Sequence, residues 1–154
     1  MTRLAPILLC LLALLVASCG GDDDAPSQEE FADRANQICR EAEESLENVG
    51  QEAETPEEIV PAVDRVIEEL RNAVDELADL ERPEGEPGER AEEFVNATRT
   101  QIEDGIPHLE DLRAALESGD QEAAQEAATR LQEIDSGASN EAAREVGANA
   151  CADG

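Results

Sequence analysis

The chain has 154 residues, enough for one domain, and its 39 acidic and 11 basic residues give a formal net charge of −28. A surface this acidic repels the phosphates of nucleic acids and of anionic lipid headgroups, which excludes DNA and RNA as partners. Two phenylalanines are the only Phe, Tyr or Trp residues, so recognition of sugars or quaternary amines on aromatic faces is excluded as well.

An export signal is predicted at the N-terminus. Arg3 is followed by an apolar run over residues 4–17, which is shorter than the roughly 20 residues that a bilayer span needs. The run ends Val16-Ala17-Ser18-Cys19, and this motif resembles the lipobox of bacterial lipoproteins. The resemblance implies cleavage of residues 1–18, lipid on the Cys19 thiol, and attachment to the extracytoplasmic face of the cell membrane. The alternative is an ordinary secretory signal in which this cysteine occurs by chance.

Residues 19–27 are interpreted as an acidic, flexible tether. The eight residues after Cys19 span roughly 16 Å as a random coil. Asp22, Asp23 and Asp24 offer oxygen ligands, but adjacent acids in a flexible segment are more often solvated, so we assign no metal site to them. Removal of residues 1–18 takes away one arginine and no acid, which leaves a net charge of −29.

Cys39 and Cys151 are predicted to form a disulfide. Cys10 leaves with the signal and Cys19 takes the lipid, so two cysteines remain in a compartment where disulfides persist. Their bridge closes a loop of just over 100 residues, which the chain-entropy model equates with about 4–5 kcal/mol of stability. The alternative is two independent buried thiols.

Four amphipathic helices are predicted after the tether. The first begins at a capping box of Ser27 and Glu30, and the second at Thr55, with Pro56 in its first turn. Apolar residues recur at intervals of three and four through each helix, the spacing of one buried face. In the second helix these residues are Ile59, Val63, Val66, Leu70, Val74, Leu77 and Leu80.

Glycine and proline mark the predicted ends of these helices. Gly50 is expected to stop the first helix, Pro83 the second, Ser118-Gly119 the third and Gly147 the fourth. Residues 83–88 are expected to form a loop, and Asp120 to cap the fourth helix. Pro107 predicts a kink in the third helix, and Ser136 to Ser139 weaken the middle of the fourth.

Short connections between four such helices favour an all-α, up-down-up-down four-helix bundle over residues 28–154. The acidic composition is also typical of disordered chains, but the regular apolar spacing argues for folding.

Residues from about 28 to 151 also resemble a loose group of small secreted or lipid-anchored bacterial helical bundles. The shared features are Ala-x-x-Ile-Cys, here Ala35 to Cys39, a Pro-rich turn after the second helix, here Pro83 and Pro87, and a C-terminal Gly147 and Cys151. The resemblance supports the helical fold and the disulfide, and it implies no biochemical activity.

Catalytic and cofactor-binding patterns are missing from the sequence. The only histidine, His108, has no neighbouring residues that suggest a triad, and Gly105 occupies the position at which a di-iron motif would require glutamate. No Cys/His cluster suits zinc, and without lysine no phosphate loop is formed. We therefore expect no catalytic residue, no metal site and no cofactor.

These observations favour a non-catalytic binding or scaffold domain of the cell envelope, held at the membrane by lipid on Cys19 and contacting an envelope protein. The alternative is a protein that binds a small ligand or a divalent cation, using the bundle interior or the acidic surface. A third hypothesis is an enzyme that uses His108 with nearby acids.

Overall fold

A computed structural model describes residues 25–52 and 55–152, in which all regular structure is helical and no strand occurs. The all-α prediction is confirmed. The four predicted helical segments are present, and the fourth is divided into two helices. The elements are α1 (Gln28–Glu52), α2 (Pro56–Asp79), α3 (Glu86–Ser118), α4 (Gln121–Gln132), α5 (Gly137–Val146) and a 3₁₀ turn (Asn149–Cys151).

Both predicted capping boxes are formed. The Ser27 amide donates to Glu30 Oε2 at 2.9 Å, and the Glu30 amide donates back to the Ser27 hydroxyl at 3.2 Å. The hydrogen bonds from the Ser27 backbone and hydroxyl lower the pKa of Glu30 below its usual value. The Thr55 amide likewise donates to Glu58 Oε2 at 2.9 Å, so α1 and α2 begin where the sequence predicts.

Three predicted boundaries differ from the structure. Helix α2 ends at Asp79, four residues before Pro83. Gly50 lies inside α1, which continues to Glu52; the cost of one helical glycine, about 1 kcal/mol, is too small to stop a long helix. Residues 83–88 are not all loop, because Gly85 caps α3 and Pro87 lies in its first turn. Gly88 is required there because a Cβ at that position would lie 2.1 Å from the Pro83 carbonyl oxygen.

The later boundaries agree with the sequence. Gly119 and Gly147 adopt left-handed backbone conformations, with φ of 71° and 88°, at the ends of α3 and α5. Asp120 accepts the amides of residues 122 and 123 and caps α4. Helix α3 continues through Gly105 and Pro107 without interruption, and the kink at Pro107 stays a prediction.

The fourth segment is broken over residues 133–136, immediately before the weak stretch that the sequence indicates. The Asp135 carboxylate accepts the amide of Gly137 at 2.8 Å, and the Ser136 carbonyl accepts the amide of Asn140 at 2.9 Å. The side-chain bond of Asp135 competes with a continuous helix, and the backbone bond to Ser136 is the first of the new helix, so α5 starts at Gly137.

Helix α3 is the centre of the packing. It contacts α2 on one side, with Arg71 near Glu110 and Arg113 near Asp64, a pairing that makes the two helices antiparallel. On the other side α3 packs against α4 and α5 in succession. Helix α1 packs against α2 and against the 3₁₀ turn, whereas α4 makes no comparable contact with α1 or α2 among the described residues.

The contiguous core therefore lies at one end of the helices. Phe31 and Phe94 pack edge to face with ring centroids 6.4 Å apart, and both are fully buried. The core joins α1, the C-terminal part of α2, the N-terminal half of α3, α5 and the C-terminal segment. Its members are Phe31, Ala35, Leu77, Ala91, Phe94, Val95, Ala142, Ala143, Val146, Ala148 and Ala152.

Within residues 25–52 and 55–152, none of the helices is both long enough and apolar enough to cross a bilayer.

Candidate functional site

The predicted lipid-attachment residue, Cys19, lies outside the described residues, as do the three aspartates of the tether. The described chain starts at Ala25, three residues before α1 begins. Gln28, the first residue of α1, donates its side-chain amide to the carbonyls of Glu145 and Val146 at 3.2 and 3.3 Å. The N-terminus of α1 therefore lies at the end of the domain that contains the core.

The predicted disulfide is present at this same end. Cys39 of α1 is bonded to Cys151 of the 3₁₀ turn, with their Cα atoms 5.2 Å apart. Both half-cystines pack against the core. The bridge therefore fastens the last part of the described chain to its first helix.

Polar side chains on α1 hold the C-terminal segment as well. The Asn36 side chain donates to the Gly147 carbonyl at 3.0 Å and accepts the amide of Ala150 at 2.7 Å. Arg90 of α3 donates to Gln28 Oε1 at 3.2 Å and joins a third helix to this network. Sequence reasoning missed these residues, because their partners lie more than a hundred positions away or on another helix.

Arg82 closes the C-terminal end of α2. Its guanidinium donates to the carbonyls of Leu77 and Ala78, both at 3.2 Å, and also to that of Leu80. The same group lies 5.5 Å from the centre of the Phe31 ring, within the range of a cation–π contact. Burial lowers the pKa of Arg82 from its usual value, an effect that the negative charge of Glu92 opposes. Arg82 therefore satisfies helix carbonyls that would otherwise lack donors.

Two adjacent grooves, of about 500 and 550 Å³, run along the contact between α2 and α3. Val74, Ile102 and Ile106 provide apolar walls for the first groove, while Arg71 and Arg99 provide positive charge. Arg71 lines both grooves and lies 3.5 Å from Glu110. Three carboxylates, those of Asp75, Glu103 and Glu110, line the first groove as well, so it can take a small amphiphile but carries more negative than positive charge.

A third groove, of about 410 Å³, lies between α3 and the start of α5. Its lining includes the carboxylates of Glu93, Asp104 and Asp135. Ser139, which is buried, donates to Gln101 at its floor. Within the described part of the chain, no three His, Cys, Asp or Glu side chains are grouped closely enough to hold a metal ion.

His108 is half-buried on α3, and its Nδ1 has no hydrogen-bond partner among the described residues. No hydrogen bond joins it to a serine, a cysteine or a carboxylate in that part of the chain. The geometry therefore supplies no base–nucleophile pair at this histidine.

The half of the domain away from the disulfide has a different character. We name this region, residues 41–71 and 105–132, the open half. Its six leucines, on α1, α2, α4 and the C-terminal part of α3, are not fully buried, although they have the spacing of the inward faces of their helices. The half-buried leucines are Leu46, Leu70, Leu109, Leu112, Leu116 and Leu131.

Comparisons with protein families, with curated proteins and with solved structures find no match to this chain.

Proposed function

We propose that the protein is a lipid-anchored, extracytoplasmic binding domain of the bacterial cell envelope. The observation that carries this proposal is the Cys39–Cys151 disulfide, because structural disulfides are formed and kept in exported proteins and are rare in the bacterial cytosol. The lipobox-like sequence before Cys19 supplies the means of attachment. The bundle begins a few residues later, at the end that the disulfide closes.

In this proposal the chain has three parts. Residues 1–18 are a cleaved signal, residues 19–27 are the tether, and residues 28–154 are the binding domain. The order of the helices is that of an up-down-up-down bundle whose fourth member is α4 followed by α5. The contacts between α2 and α3, and the contact of Arg130 on α4 with Asp111 on α3 at 3.8 Å, support that order.

We infer that the domain binds rather than catalyses. His108 has no hydrogen-bonded partner that would make it a base, and the carboxylates of the third groove lie without grouped metal ligands in the described chain. Apolar side chains that remain partly uncovered on a rigid scaffold are typical of interaction surfaces.

Replacing Cys19 by alanine tests the anchor. Cells fed a clickable fatty acid should label the unaltered protein and not the Cys19→Ala variant, because the thiol is the acceptor of the diacylglycerol. The variant should retain residues 1–18 and therefore have a larger polypeptide mass than the processed, unaltered protein. Cys10→Ala is the matched control, since its thiol lies inside the signal, and it should label normally. Equal labelling of the Cys19→Ala variant and the unaltered protein would contradict the proposal.

The groove between α2 and α3 favours a second candidate, a small-ligand binding protein. Its apolar walls suit the alkyl chain of a small amphiphile, and the carboxylates of Asp75, Glu103 and Glu110 would accept hydrogen bonds from a cationic amine. Dodecylamine should then raise the melting temperature of the unaltered protein by mass action and have a smaller effect on Glu103→Gln. A calcium-dependent rise that survives moderate salt would instead favour binding of a cation.

A further inference from the structure

In the open half, large apolar side chains are only half-buried, whereas a closed bundle would bury them fully. Seven residues are close to two helical turns, so Leu70 lies on the same face of α2 as Leu77. Leu77 is 2% exposed in the core, whereas Leu70 is half-buried. The residues that are buried in the open half are mostly small. They are Val49, Ala62, Val63, Ile67, Gly105, Ala115 and Ala127.

The half-buried leucines of α3 lie between the two sides of the helix that contact α2 and α4. Glu110 and Arg113 are on the side that pairs with α2, and Asp111 is on the side that pairs with Arg130 of α4. Leu109 and Leu116 lie between these sides, at positions seven residues apart. They therefore face the side of α3 between α2 and α4, and those two helices make no comparable contact with each other within the described residues.

The net charge of the open half indicates the sign of the charge expected on its partner. By sequence it contains 17 acidic residues and 4 arginines, a net charge of −13. Three of its four arginines lie close to acids: Arg71 lies 3.5 Å from Glu110, Arg113 lies 3.0 Å from Asp64, and Arg130 lies 2.7 Å from Glu126. From Glu41 to Asp64 there are nine acids and no basic residue. An apolar strip in a region with a net charge of −13 favours a cationic partner and disfavours a second copy of this chain.

The position of the open half leaves it accessible. Helix α1 runs from the tether at Gln28 to Glu52, a length of about 36 Å at 1.5 Å per residue. The tether enters at the disulfide end, so the open half lies at the far end of the domain from the proposed lipid. This step depends on the proposed function.

We propose that the open half binds an amphipathic helix of another envelope protein, with one apolar face flanked by lysine or arginine. The apolar face would complete the bundle along Leu70 and Leu116, and its cationic flanks would face the acidic rims. Binding of a helix in such a groove depends on apolar anchors spaced at i, i+3, i+4 and i+7. The partner helix would contact the faces of α2 and α3 that α4 does not cover.

Binding of a defined peptide tests this inference. The probe is a fluorescent Leu/Lys peptide of about 18 residues, or five turns, with all leucines on one face. The acylated protein is held in phosphatidylcholine nanodiscs, and empty nanodiscs provide the background. Fluorescence anisotropy should show saturable binding that weakens at high salt. Leu70→Gln and Leu116→Gln should each raise the Kd by at least about tenfold.

Three controls separate docking from general attraction between opposite charges. A peptide of the same composition with its leucines scattered around the helix should bind much more weakly, and a Leu/Glu peptide should not bind. Leu80→Gln, a half-buried leucine beside the core, should leave the Kd unchanged if circular dichroism shows it folded. Equal affinity for the ordered and scattered peptides, or no change in Leu70→Gln and Leu116→Gln, would overturn the inference.

Other occupants give distinct results. A concentration-dependent dimer in sedimentation, lost in Leu70→Gln, would mean that a second copy covers the surface, and the inference would be wrong. Failure of lipid labelling at Cys19 overturns the anchor alone, because the peptide assay can be repeated on the full chain without nanodiscs. Normal labelling without peptide binding overturns the docking proposal alone.

Discussion

Loss of the Cys39–Cys151 disulfide should lower the free energy of unfolding by about 4–5 kcal/mol. The two cysteines are 112 positions apart, so the bridge removes a large part of the freedom of the unfolded chain. Domains of this kind have total stabilities of about 5–15 kcal/mol, and the loss is a large fraction of that. Urea unfolding followed by far-UV circular dichroism, with and without a thiol reductant, measures it.

The matched control is the double variant Cys39→Ser, Cys151→Ser, which has no bridge and no free thiol at these positions. Reductant should not change its unfolding curve, and that curve should overlay the curve of the reduced unaltered protein. A loss below about 1 kcal/mol would contradict the prediction. It would mean that noncovalent contacts of the C-terminal segment, such as the two hydrogen bonds of Asn36, hold the native state and that the unfolded chain stays compact.

Helix beginnings could be predicted from the sequence because caps are local. Ser27 and Glu30 are three residues apart, as are Thr55 and Glu58, so each reciprocal hydrogen bond is decided within one turn. The disulfide could be predicted for a different reason, since elimination of Cys10 and Cys19 left one pair. Gly50 shows the limit of local reasoning, because the packing of α1 along α2 outweighs the helix preference of a single residue.

The unequal distribution of the core could not be predicted. The apolar spacing of α2 is as regular around Leu70 as around Leu77, yet only the second leucine is fully buried. The difference arises from which helices meet: α5 and the 3₁₀ turn complete the core at the disulfide end, whereas α4 packs mainly on α3 among the described residues. The choice follows from the break at residues 133–136, which redirects the chain between α4 and α5.

The candidate binding surface of the open half could not be predicted from the sequence either. Its leucines have the spacing of ordinary core residues, and its acids have the spacing of an ordinary solvated face. Only the packing of the helices shows that the two features border the same uncovered space. The sequence alone therefore indicated a binding or scaffold role, without indicating where binding would occur.

Alanine variants of Leu77 and Leu70 should show directly the difference in burial between the core and the open half. Leu77→Ala should cost about 3 kcal/mol, because it removes a side chain that is 2% exposed and leaves a cavity among Phe31, Phe94 and their neighbours. Leu70→Ala changes the same residue type on the same face of the same helix. It should cost about 1 kcal/mol, since its side chain is already partly hydrated and little new cavity is formed. Equilibrium urea unfolding of both variants in one buffer gives the comparison.

Each of the two variants is the control for the other, because helix propensity and side-chain length change equally in both. Each must keep the cooperative slope of the unaltered protein for the midpoints to be compared. Equal losses at the two positions would show that Leu70 is fully covered in solution, by closure of the helices or by self-association. Dependence of the Leu70→Ala loss on protein concentration would separate those causes, since only self-association depends on it. A small loss at Leu70 that does not depend on concentration would leave the open half as a surface that the isolated domain keeps uncovered, at a cost in stability that a bound partner would recover.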